Sequence, residues 1–151
     1  MEKTDTNDAK ATRFDPHGRV SFSFVEKNII VYKAVGPFNQ ELIQASASIE
    51  PETLQKAKEA GKYWGAVLFE NSCEATHKVF EEFTKYLLDM KKADMANVIS
   101  AFVFPDEIEC ASFMVSSYEQ CYKTAGLPFK AFKEYDEALL WIKSELAKLS
   151  D

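Results

Sequence analysis

The chain has 151 residues, 46% hydrophobic and 28% charged, with 5 Gly, 5 Pro and a formal net charge of -6. That is the size of one domain able to bury a core, and the acidic balance argues against a nucleic-acid partner, whose phosphates need a basic face. Cys73, Cys110 and Cys121 make an odd count without a close pair, which suits free thiols in a reducing cytosol.

Residues 1–16 are polar and alternate in charge, the composition of a disordered lead-in. They hold no apolar stretch of the kind a secretory signal needs. No run approaches the roughly 18 to 20 apolar residues of a membrane span, so a cytoplasmic location is expected. The ordered domain is expected over 17–151.

VSFSFV (20–25) and NIIVYKAV (28–35) are β-branched and aromatic, separated by Glu26-Lys27. That spacing predicts an antiparallel hairpin. GPFN (36–39) breaks the second strand, and Asn39 can cap a helix through QELIQASASI. Pro51 is costly inside a helix but suits a first turn. A kink or restart is expected there, with the helix ending at Gly61.

YWGAVLF (63–69) is a continuous apolar run, the pattern of a strand buried on both faces. Residues 74–92 carry Val79, Phe80, Phe83, Tyr86, Leu87 and Met90 on one helical stripe. NVISAFVF (97–104) predicts a second buried strand, stopped by Pro105. Residues 107–125 read as a helix ending at Gly126. PFKAFKE (128–134) alternates as a strand, and Tyr135 or Asp136 opens a last helix through EALLWIKSELAKL. The expected class is α/β: a single-layer, mostly parallel five-stranded sheet with an antiparallel edge hairpin and about four helices.

This order, together with HGRVSFSFVEKNIIVYKAVGPFNQE, YWGAVLFEN and AGLPFKAFKEYDEALLWI, resembles the STAS superfamily in its SpoIIAA-like branch. The likeness covers roughly residues 17 to 146. It implies a β-α superhelical domain, non-enzymatic, often dimeric, working as a protein-interaction or regulatory module. A homodimer is therefore expected, with another regulatory protein as a further partner and no cofactor. Anti-sigma members of the superfamily are switched by phosphorylation of a serine in an Asp-Ser-Ser-Gly-like loop before the second helix. Glu70-Asn71-Ser72-Cys73 occupies that place without the aspartate or the glycine, so Ser72 matches by location.

Cys73 and His77 raise a different reading, a thiol nucleophile at a helix start with its base. With Asn71 as N-cap, Glu74 would complete a capping-box variant. Glu70 and Glu74 would then oppose thiolate formation. Cys73 falls roughly 80° and His77 roughly 120° from the apolar stripe at about 100° per residue, which turns His77 to solvent. A capped helix start is the simpler account, and two ligands with His17 far away make no metal set. Neither a catalytic set nor a nucleotide-binding glycine pattern is present.

Open α/β sheets place ligands at strand carboxyl ends. A small lipid-like or anionic ligand would meet Phe38, Asn39, Asn71, Ser72, Cys73 and Phe104 there. In the helix at 107–125, Ile108, Ala111, Val115, Tyr118, Tyr122 and Ala125 form the inward stripe. Phe113 lies on nearly the opposite side, flanked by Cys110, Met114, Ser117 and Cys121. Apolar residues on both sides call for a second burial partner: another subunit, the neighbouring helix or an apolar ligand. The expected function is thus a non-catalytic interaction module, with small-ligand binding as the alternative and a Cys73-dependent enzyme as the third reading.

Overall fold

Alternation in VSFSFV divides the second strand into an aromatic side and a serine side, and the folded chain uses that division. The structure, a computed structural model, describes residues 3–6, 18–26, 28–108 and 111–149. Its elements are β1 (Lys3–Asp5), β2 (Arg19–Glu26), β3 (Ile29–Val35), α1 (Gln40–Glu59), β4 (Trp64–Glu70), α2 (His77–Lys92), β5 (Ser100–Val103), α3 (Ala111–Ala125), β6 (Phe129–Phe132) and α4 (Tyr135–Leu149).

The strands form one mixed sheet in chain order, β1-β2-β3-β4-β5-β6. β2 pairs antiparallel with β1 and β3, and β3 to β6 are parallel. Because each parallel strand adds beside the last, crossovers of one hand place α1, α2 and α3 on the same face. There they close over Phe22, Ile30, Tyr32, Phe69 and Phe102. α4 follows the last strand and covers the other face, where Trp64, Ala66, Ala101 and Val103 meet Ala138 and Ile142. Trp141 also packs on that side, beside Phe132, with the Lys130 ammonium over both rings. No helix among the described residues is long and apolar enough to cross a membrane.

The α/β class and the hairpin agree with expectation, and four departures have local causes. The sheet has six strands rather than five, because Lys3–Asp5, expected to be disordered, pairs with Ser21–Ser23. Side chains hold it there. Asp5 is ion-paired to Arg19 at 2.5 Å, the Thr6 hydroxyl accepts from the Val20 amide at 2.9 Å, and Thr53 of α1 donates to Thr4 at 3.4 Å. The rest of the expected lead-in (1–2 and 7–16) lies outside the described residues.

α1 is one helix through Pro51, with no restart. The proline forfeits one backbone bond, yet Leu42, Ala45, Glu50, Leu54 and Ala57 on either side of it are all buried. The burial of that stripe outweighs the lost bond. α2 begins at His77 under a Thr76 cap, whose side chain accepts from the Val79 amide, so the expected Asn71 capping box does not form. Asn71 instead takes a left-handed backbone (φ 68°). Residues 107 and 108, expected within α3, belong to a separate turn at 105–108 closed by Ile108 N–H to the Pro105 carbonyl at 3.0 Å.

Ile142 is fully buried against the sheet on the α4 side. Ile142→Ala is expected to lower stability by about 2–5 kcal/mol in urea unfolding. A loss well under 1 kcal/mol would show that α4 is not part of the cooperative core.

Candidate functional site

The loops leaving β3 and β4 are joined backbone to backbone. Gly36 N–H donates to the Ser72 carbonyl and Phe38 N–H to the Glu74 carbonyl, each at 3.0 Å, while the Asn71 side-chain amide donates to the Gly36 carbonyl at 3.1 Å. A Cβ at Gly36 would lie 2.2 Å from the Ser72 carbonyl oxygen, so this approach requires glycine. The join holds residues 72–75 extended and delays the start of α2.

This places the sequence-predicted residues. Ser72 is 1% exposed, and its hydroxyl accepts from the Glu74 amide at 3.0 Å. A kinase has no access to that hydroxyl in this conformation. Cys73 is fully buried, and its carbonyl accepts from the Tyr118 hydroxyl at 2.7 Å. His77 stands in solvent, 90% exposed, beside Glu81 at 3.0 Å. The thiol is in the core and the imidazole outside, and the two form no nucleophile–base pair. Asn39 caps α1 by accepting from the Leu42 amide at 3.1 Å. Phe104 stacks on Phe69 at 4.9 Å between ring centres. The strand-end residues are therefore mostly spent on intrachain contacts; Phe38 alone among them lines a cavity.

On α3, Phe113 is 79% exposed. Met114 and Ser117 are partly buried. Cys121 is 2% exposed against α2, its Sγ 3.6 Å from the Phe80 carbonyl, and burial pushes its thiol up. Cys110 lies outside the described residues. For Met114 and Cys121 the second burial partner is the chain's own helical layer.

The cavity lies between the helix face of the sheet and α1, α2 and α3, with a volume of about 120 Å³. Phe22, Leu42, Leu54, Phe83, Leu87 and Met90 supply much of its apolar wall, and among the described residues no Lys, Arg or His lines it. Its polar lining is Ser46, Glu50, Asn97 and the four tyrosines at 32, 86, 118 and 122. Glu50 accepts from the Tyr86 hydroxyl, and the Tyr32 phenol interacts with the same carboxyl. The Asn97 amide donates to the Tyr32 oxygen at 3.2 Å. Gly65 makes room for this group, since a Cβ there would meet the Asn97 amide nitrogen at 2.3 Å.

Burial raises the Glu50 carboxyl above its ordinary range; the two phenol hydrogen bonds pull it back only in part. Desolvation and the neighbouring Glu50 raise the Tyr32 and Tyr86 hydroxyls as well. The sequence carried one signal for this site. Glu50 falls on the α1 stripe of Leu42, Ala45, Leu54 and Ala57, and a carboxylate on an apolar stripe invites a functional reading.

The folded state holds the Glu50 proton more tightly than the unfolded chain does. Above the ordinary carboxyl range the folded protein therefore binds more protons, and stability falls as pH rises through the raised value. Glu50→Gln removes that dependence. The stability of the variant relative to the parent is expected to climb between pH 4 and 8, with a slope of at most about 1.4 kcal/mol per pH unit. Paired urea titrations across that range measure it, and a flat difference would show Glu50 to be ionised in the fold at no cost.

Comparison with known proteins finds no matching family model, no matching curated protein and no matching solved structure, so the cavity and its polar group are interpreted from their own residues.

Proposed function

We propose that the chain is a non-catalytic cytoplasmic binding module that takes a small, mainly apolar molecule into the cavity beneath α1, α2 and α3. The cavity itself carries this reading: about 120 Å³ of apolar-walled space with hydrogen-bonding groups along its lining. Protein interiors otherwise pack with few voids larger than a water molecule. An apolar cavity of about 150 Å³ engineered in another protein binds benzene, so the guest here is of the order of one six-membered ring. The separation of Cys73 from His77 speaks for binding rather than thiol chemistry. The STAS-like order of strands and helices fits a regulatory module whose occupancy is sensed by a partner protein.

Benzene is the plainest probe. A guest that binds only the folded state raises its melting temperature in proportion to ln(1 + [L]/Kd). Benzene is expected to raise the Tm of the parent and to leave Ser46→Leu, which fills the cavity from α1, unmoved. No shift in the parent up to the solubility of benzene would sink this reading.

A second reading, self-association through α3, is supported by Phe113, the large apolar side chain that this helix leaves in solvent. Light scattering on size-exclusion fractions is expected to give a dimer for the parent and a monomer for Phe113→Asp. A parent that stays monomeric at its highest soluble concentration would remove the dimer.

A further inference from the structure

We infer that the cavity prefers a ligand bearing a hydroxyl group, an alcohol or phenol on a small apolar body, over its bare hydrocarbon and over a carboxylate. The inference rests on the ligand-binding reading above and specifies the chemistry of the ligand's polar end.

The hydrogen-bond network leaves one kind of capacity unused. The Tyr86 hydrogen is committed to the Glu50 carboxyl. The Tyr32 oxygen accepts from the Asn97 amide nitrogen at 3.2 Å. That bond turns the Asn97 nitrogen towards the phenol. The carbonyl oxygen Oδ1 is then the other end of the amide, and it is buried without a hydrogen-bond partner among the described residues. Asn97 and Glu50 both line the cavity. The unmet need is thus an acceptor in want of a donor, beside a carboxyl with lone pairs to spare.

Buried acceptors without partners cost free energy in the empty protein. A ligand hydroxyl supplies the missing hydrogen and brings no charge of its own into the apolar space. A hydrocarbon of the same shape leaves the acceptor orphaned. A carboxylate is worse placed, for it arrives with acceptors only, beside Glu50, and among the described residues no Lys, Arg or His lines the cavity to offset its charge. Sites built to hydrogen-bond a ligand discriminate strongly against analogues that lack the group.

Benzyl alcohol, toluene and benzoate differ mainly in this one feature. Titrated into the parent and followed by Tm and by protein NMR shifts, benzyl alcohol is expected to bind at least about tenfold more tightly than toluene, a gap of one ordinary hydrogen bond. Benzoate is expected to give no saturable shift. In Asn97→Leu the preference for the alcohol should collapse towards unity while toluene still binds, and Glu50→Gln, which keeps the shape, should reduce it in part. Equal affinity for toluene and benzyl alcohol, saturable benzoate binding, or full retention of the preference in Asn97→Leu would each overturn the inference and leave hydrocarbon binding standing. Failure of all three probes and of benzene would instead overturn the ligand-binding reading beneath it.

Discussion

The ring of Phe69 is the contact around which the helix face is organised. It sits on β4 in the middle of the sheet and lies within 6.1 Å, ring centre to ring centre, of Phe38, Phe102, Phe104 and Tyr118. Those four come from the loop after β3, from β5, from its exit and from α3. A single aromatic side chain thus ties β5 and the β3–β4 and β5–β6 crossovers to one point, by area burial and by ring-edge attraction. Tyr118 carries the constraint onward, since its hydroxyl holds the Cys73 carbonyl. The loop that holds Ser72 and Cys73 is therefore fixed from the core side, and the Gly36 approach fixes it from the other.

The same face is packed unevenly. Around Phe69 the rings from β5, α3 and β6 interlock at centre distances of about 5 to 6 Å. Towards α1 and α2 the space between helices and sheet is not filled, and a carboxyl, phenols and an amide stand where a core would ordinarily carry methyl groups. A fully apolar repacking of such a group is often no less stable. Stability alone therefore does not account for Glu50, and the ligand recognition proposed above supplies a reason for it.

Much of the architecture was legible in the residues, and the failures are instructive. The alternation of VSFSFV and the unbroken apolar run of YWGAVLF are periodic signals that report strand burial directly. β1 escaped because three polar residues have no such period; contacts with Arg19, Val20 and Thr53 make it a strand. The Asn71 cap does not form because residues 72–75 belong to a pairing between two distant loops, which local spacing cannot encode. Pro51 signals a break that α1 does not make, and the informative residue is the buried Glu50 before it. Beyond Glu50 on the α1 stripe the cavity has no sequence signature, since a void is set by the spacing of elements and not by any one of them.

The placement of the tryptophans has an optical consequence. Trp64 and Trp141, the two in the chain, both pack on the α4 side of the sheet. Four of the six tyrosines line the cavity on the opposite face. Indole emission is thus a probe of α4 docking and is nearly deaf to events beneath α1 and α2, separated from them by the whole thickness of the sheet. Phenol absorbance around 280 nm, or energy passed from tyrosine to tryptophan across the strands, reports instead on the cavity side of the sheet.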